Sequence, residues 1–331
     1  MQSYQSHRRV AMLYQQMMRA RYAFSKSFDE AQIVILHLEP HNYERLYRQY
    51  PVLFRKYVIA YCVWEANPLP VAYQQSLRYV QEVWTCSKYC HSIFVPHHPK
   101  VVHVPHPIHR DLACTETDLA CIRAEINYSP DYTFYLSFTR TLGTRKNVAG
   151  LVRAFERINR ITPNTRLILK GIPGDPYYDV NNPNIIYLQR HLSEAQINAL
   201  YRSCQCYVSA HHSEGWGLPI SDAMLLGMPV VATGYSGNLE YMNKDNSFLT
   251  EFREEYIRRE DRFGLFTGSM KWAYPSEENL SYHMGRVYET RHTSLMSATI
   301  ARAQLDVRKF SMDAVRGVVY RQIDMAGEAI A

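Results

Sequence analysis

Apolar runs of strand length alternate with amphipathic, helix-length segments along most of this chain. Residues 31–37, 57–64, 83–85 and 100–105 predict short buried strands, and 43–50 and 71–80 predict helices among them. A second pass repeats the rhythm. Strands are predicted at 132–137, 166–170, 185–188, 206–209 and 228–232. The intervening helices fall at 149–158, with Leu151, Phe155 and Ile158 on one face, at 194–203 and at 219–226. Buried strands separated by helical crossovers indicate parallel sheets, so the fold class is α/β. From 276 onward the pattern is helical, and 313–323 is amphipathic. Pro105, Pro107 and the polar stretch 111–130 interrupt the pattern and mark a domain boundary. The expected organisation is an N-terminal domain over 1–112, a linker over 113–130, a second domain over 131–305 and a terminal helical segment over 306–331.

A chain of 331 residues is long enough to bury two cores. Its 47% hydrophobic and 21% charged composition is that of a globular protein. No apolar run approaches the ~18–20 residues needed to span a bilayer. The N-terminus is polar and basic without an apolar core segment, so no signal peptide is expected. Seven cysteines are scattered with no Cys-x-x-Cys pair and no zinc-type spacing, which predicts reduced thiols in a cytoplasmic protein.

The net charge of +6 is mild, and nucleic acid is not an expected partner. Its distribution is uneven. Arg8, Arg9, Arg19, Arg21 and Lys26 all precede the first acid, Asp29, and Val10, Met12, Leu13, Met17 and Met18 interleave with them. Residues 7–24 therefore suit a basic amphipathic helix. It either lies on the anionic inner face of a membrane or packs on its own domain.

The chemistry concentrates in Glu214-Gly-Trp-Gly-Leu-Pro-Ile-Ser-Asp222, which joins the strand at 206–209 to the helix that follows. Pro219 suits a first helical position, where a missing N–H costs nothing. Gly215 and Gly217 let the backbone approach a ligand closely. Strand, glycine turn and helix N-terminus together offer free N–H groups and partial positive charge, which bind phosphate. An acid at each end adds acceptors for hydroxyl groups. A turn that takes both phosphate and hydroxyls suits a nucleotide sugar.

Glu214 to Asp222, with Gly-Met-Pro-Val-Val-Ala-Thr-Gly at 227–234 and Ser-Gly-Asn-Leu-Glu at 236–240, resembles the donor-site signature of family-4 retaining glycosyltransferases (glycosyl transferase group 1). That signature is an acid, seven residues, then Glu; here Asp222, one methylene shorter, holds the second place. Thr141-Leu-Gly-Thr-Arg-Lys-Asn-Val148 resembles the family's basic phosphate loop, and Lys271-Trp-Ala-Tyr-Pro275 a Trp-Ala-x-Pro segment of one branch. The resemblance implies the GT-B fold, two Rossmann-like domains facing across a cleft, with the N-terminal one on the acceptor side. Here that domain is expected to be shortened, because the first strand-like run comes near residue 32 and no glycine precedes Gly143. The resemblance also implies that the last helix returns to the first domain.

Residue roles follow. A diphosphate gains charge as the glycosidic bond breaks, so cations beside it stabilise the transition state more than the ground state. The resemblance puts Lys146 in that role. Its companion is Arg145 or Arg140, the family's paired arginine aligning nearer Thr141. Glu214 would take donor-sugar hydroxyls, and the backbone of Gly215, Trp216, Gly217 and Leu218 the sugar or phosphates. Asp222 would take the ribose hydroxyls, and Arg190 and His191 would border the base. Glu65, after the strand at 57–64, falls where the family places a polar residue facing the donor sugar.

A retaining hydrolase would need Glu214 and Asp222 ~5 Å apart, whereas eight helical residues span ~12 Å. His211 and His212 are either bases or structural loop residues, and the latter is favoured. No Asp-x-Asp occurs, so a metal-independent reaction without a cofactor is expected. The partners expected are a nucleotide-sugar donor and a polysaccharide or lipid-linked acceptor. The rival functions are a silent nucleotide-sugar-binding module and a sugar-nucleotide epimerase.

Overall fold

The computed structural model describes residues 5–140, 143–176 and 181–330. Its backbone forms two compact units, one of Met1–His109 with Lys309–Ala331 and one of Arg110–Arg308.

The first unit runs α1 (Gln5–Arg19), β1 (Ile33–Leu36), α2 (Tyr43–Gln49), β2 (Tyr57–Cys62), α3 (Val71–Ser76), β3 (Glu82–Thr85), α4 (Lys88–Phe94) and β4 (Val101–His103). The strands pair in parallel in the order β1-β2-β3-β4. All of β2 but its first residue is buried, as befits an inner strand covered on both faces. On α1, Val10, Leu13, Tyr14, Met17 and Met18 are buried and Met12 points outward. Its apolar side is thus used up in packing: Tyr14 Oη lies 2.9 Å from Tyr61 Oη, and Tyr320 Oη donates to the Met17 carbonyl at 2.9 Å. That leaves exposed Arg8 and Arg19, rather than an apolar face, for any contact with a membrane.

The second unit runs α5 (Glu116–Glu125), β5 (Thr133–Phe138), α6 (Val148–Ile161), β6 (Thr165–Lys170), β7 (Ile185–Leu188), α7 (Glu194–Ser203), β8 (Cys206–Ser209), α8 (Leu218–Leu225), β9 (Val230–Thr233), β10 (Phe248–Thr250), β11 (Phe252–Tyr256), β12 (Lys271–Pro275), α9 (Glu277–Thr290) and α10 (Ser294–Arg308). The final helix, α11 (Met312–Glu328), belongs to the first unit.

The stretch 113–130, expected as a linker, is built around α5. Thr115 and Asp118 form a reciprocal capping box at its start, and Leu119 and Ile122 are buried. The polar residues that suggested a linker are the cap and outer face of this helix.

Six parallel strands order as β10-β9-β8-β5-β6-β7. The chain steps outward from β5 to β7 and then returns to β8 on the other side of β5. This reversal is a topological switch point, where open α/β sheets bind ligands beyond the carboxyl ends of their strands. Leu151, Phe155 and Ile158 of α6 pack with Leu280, Met284 and Val287 of α9 over Tyr135, Leu167 and Val208 of the sheet. Strands β11 and β12 form a separate antiparallel pair joined by the loop 257–270. Among the described residues no helix is long and apolar enough to cross a membrane. All seven cysteines are free thiols.

Candidate functional site

Strands β5 and β8 are neighbours, so the loops after them meet at the switch point. The first carries Arg145 and Lys146, the second Glu214. Lys146 Nζ donates to Glu214 Oε1, and Arg145 Nη1 lies 3.3 Å from Glu214 Oε2. Arg145 also holds the Ser213 carbonyl at 2.5 Å. Burial pushes the Glu214 carboxyl upward, but the charges of Lys146 and Arg145 outweigh it and hold the group down at about 2. The centre is therefore a buried carboxylate clasped by two cations, all three supplied by loops.

Local sequence sets those loops. Asn147 adopts a left-handed conformation (φ 48°), caps α6 by accepting from the Gly150 amide at 3.1 Å, and donates to the Ala210 carbonyl at 3.0 Å. The basic turn is thereby tied to the strand end that precedes Glu214. Gly217 has φ 85° and starts α8, whose first residue is Leu218, so Pro219 takes the second helical position. The carbonyls of Trp216 and Gly217 accept from Tyr241 Oη at 2.8 and 2.9 Å. The buried Trp216 ring lies 5.2 Å from that of Tyr241.

The loop after β9 grips the Glu214 backbone. The Glu214 amide donates to Ser236 Oγ at 2.8 Å, and the Gly237 amide donates to the Glu214 carbonyl at 2.8 Å. A Cβ on Gly237 would overlap the Gly215 carbonyl. Ser236 itself has φ 76°, a strained value for a residue with a side chain, held here by its double role as acceptor and donor.

His211 and His212 are structural. Burial drives both imidazoles down to about 4, so they are neutral near pH 7. Asn238 donates through Nδ2 to the Thr233 carbonyl, which leaves its Oδ1 to accept from His211 Nε2 at 3.1 Å. His211 Nδ1 then accepts from Ser209 Oγ at 2.9 Å. The Ala273 carbonyl, 2.7 Å from His212 Nδ1, can only accept, so that nitrogen carries the proton.

The other expected residues lie in different surroundings. Asp222 is buried, in the second turn of α8, and pairs with Arg110 Nη1 at 3.1 Å. Arg110 Nε also donates to Asn198 Oδ1 at 2.5 Å, and its Nη2 lies 3.0 Å from Glu194. No local signal in the polar stretch around residue 110 marked this arginine. Arg140 lies 3.9 Å from Asp175, so Arg145 is the arginine on Glu214. Arg190 makes a two-bond pair with Glu125 of α5, one bond at 2.9 Å, and His191 is exposed. Thr141 lies outside the described residues. Glu65 belongs to the first unit, half-buried just beyond β2.

The fold is that of the GT-B glycosyltransferases. Residues 123–258, which hold the basic loop, the Glu214 turn and the loop after β9, match the family model for glycosyl transferases group 1. Among solved structures, the chain is similar to the pneumococcal O-GlcNAc transferase GtfA in complex with UDP and GlcNAc (13% identity, TM-score 0.61, 96% of this chain and 60% of that one). It is also similar to Anabaena HepE in complex with UDP-glucose (16%, 0.66, 96% and 82%). A third is the sucrose-phosphate synthase of Thermosynechococcus elongatus (14%, 0.65, 97% and 80%). The chain thus spans three-fifths of the length of the pneumococcal protein.

Proposed function

We propose that this protein is a retaining glycosyltransferase, of hexosyltransferase type, that moves a sugar from a nucleotide diphosphate sugar to a hydroxyl acceptor. The observation that carries this is the Glu214 carboxylate held between Lys146 and Arg145 at the switch point. UDP-sugars are the first donors to consider, because the similar pneumococcal and Anabaena structures hold UDP with GlcNAc and UDP-glucose.

The donor diphosphate competes with Glu214 for the two cations. As it takes them, the carboxylate turns to the donor-sugar hydroxyls, and the backbone at the start of α8 faces the phosphates. Asp222, oriented by Arg110, takes the ribose hydroxyls. With no nucleophile assigned, transfer proceeds by front-face displacement. The anomeric C–O bond to the diphosphate breaks while the acceptor oxygen bonds the same face, and the acceptor proton passes to the departing phosphate oxygen. Lys146 and Arg145 stabilise the growing charge, so neither a metal nor a further cofactor is required. The acceptor is a polysaccharide or lipid-linked glycan, and free thiols suit a cytoplasmic setting.

Incubation with UDP-, GDP- and dTDP-sugars and glycan acceptors tests this. Acceptor-dependent nucleotide release that survives EDTA, with a product of unchanged anomeric configuration, is expected. Nucleotide binding without release would favour a silent binding module, and conversion of donor without acceptor an epimerase.

A further inference from the structure

The β11–β12 pair and its loop touch the basic turn from behind, at two places. At one, Thr144 Oγ1 donates to the Asp261 carbonyl at 2.9 Å, and the half-buried Phe263 ring lies over Gly143, where an added Cβ would meet Phe263 Cε2 at 2.7 Å. At the other, His212 acts as a rivet. Its amide donates to the Arg145 carbonyl at 2.8 Å, its carbonyl accepts from the Ala273 amide at 3.0 Å, and its Nδ1 donates to the Ala273 carbonyl at 2.7 Å. The ring stacks on Trp272 at 4.8 Å with 12° between planes, and lies 4.6 Å from Tyr274. Phe263, Phe266 and Trp272 join the two places in one aromatic row, at 4.8 and 5.6 Å.

We propose that this hairpin is a clamp that sets the position of Arg145 and Lys146, and that His212 is its positioning residue. The inference rests on the transfer reading above for its kinetic consequence, but not for its geometry. Residues 143–146 form a short turn with two cations and no buried side chain, tied at its C-terminal end by Asn147. The clamp holds the turn at the Arg145 carbonyl and the Thr144 hydroxyl, not through the cationic side chains. A neutral imidazole suits this role, because a third positive charge beside Arg145 would repel the guanidinium. Charge stabilisation of a leaving group depends on donors held in place before the reaction, so loosening the turn should weaken the transition state more than donor binding.

The test compares His212→Ala, His212→Asn and Phe263→Ala, using steady-state kinetics with a UDP-sugar and amide hydrogen exchange over 143–147. Asparagine keeps a donor near the Nδ1 position and should restore the Ala273 bond. His212→Ala is expected to lower kcat at least about tenfold with donor KM within about threefold, and to speed exchange over 143–147; His212→Asn should recover most of both. Phe263→Ala, at a half-buried site, should show the same pattern more weakly and remains informative if His212→Ala does not fold. Unchanged exchange and kcat in Phe263→Ala and His212→Ala, or equal loss in His212→Ala and His212→Asn, would overturn the clamp. Should the wild-type protein release no nucleotide from any sugar donor, the transfer reading fails, and the exchange measurements still decide the clamp.

Discussion

Both parallel sheets carry a carboxyl at their C-terminal edge, and the two carboxyls are driven in opposite directions. Glu214, after β8, is held at about 2 because the charges of Lys146 and Arg145 outweigh its burial. Glu39, after β1, is pushed up to about 7 by burial and then by the charge of Glu65. His7 Nδ1 lies 3.8 Å from Glu39 Oε1, and burial pushes that imidazole down toward its neutral form. His37 and His106 near it are likewise driven toward neutrality by burial. The contrast shows that fold position alone does not set charge. Two cations on an adjacent loop suit one edge, under the proposed function, to a diphosphate, while burial and the charge of Glu65 leave Glu39 a carboxyl that exchanges a proton near neutral pH. Under the proposed function, that second edge suits a hydroxyl-bearing, uncharged partner.

Breaking the cation pair should have the largest effect. Lys146→Ala is expected to lower turnover at least about tenfold, with a smaller change in donor KM, because it removes stabilisation of charge that develops in the transition state. Turnover within twofold of wild type would make the loop a solvated surface and erase the contrast with Glu39.

The buried Arg110–Asp222 pair comes next. Arg110→Leu removes the guanidinium paired with the buried Asp222 and should cost about 3–5 kcal/mol in urea unfolding. The double replacement Arg110→Leu with Asp222→Leu should recover most of that loss, since it removes both buried charges of the pair. Equal destabilisation by the single and the double replacement would show that Arg110 acts by packing rather than by charge.

The pH dependence sharpens the comparison in sign. His37 and His211 have folded values near 4 against 6.5 unfolded, so the unfolded chain binds more protons between those values. Stability from these groups is present above pH 6.5 and is lost as pH falls toward 4, by up to roughly 3 kcal/mol for a fully shifted histidine. Glu39 works the other way: its raised value makes stability fall as pH rises from 4.5 toward 7. Thermal melts from pH 4 to 7 should therefore steepen in Glu39→Gln and flatten in His211→Asn. Identical profiles for the two variants would contradict the opposed assignments.

The smallest expected effect is at Gly237. Its Ala replacement must move the Gly215 carbonyl, and about 1–3 kcal/mol of overpacking cost is expected in chemical denaturation. An unperturbed Gly237→Ala would mean that the cradle is more pliable than its hydrogen bonds imply.

Much of this was legible in the residues. The strands at 185–188 and 206–209 and the helix at 194–203 fall where the apolar periodicity put them, because each lies between clear polar breaks. Arg145, Lys146 and Glu214 could be brought together from motif alone, since each lies in a loop whose flanking strand is unmistakable. What stayed hidden depends on long-range contacts. Helix α5 has a weakly apolar face and a strongly polar cap, so its residues resembled a linker. Arg110 gains its meaning from Asp222, 112 positions away. The amphipathic α1 left two uses open, and only the burial of Tyr14 and Met17 shows which surface takes its apolar side.

Calorimetric titration with UDP and UMP, on wild type and Lys146→Ala, tests the cradle most directly. UDP should bind the wild type at least about tenfold more tightly than UMP, and most of that difference should vanish in the variant, because the cradle grips the second phosphate. Equal affinity for UDP and UMP, or a UDP preference untouched by the loss of Lys146, would contradict a diphosphate site between Glu214, Arg145 and Lys146.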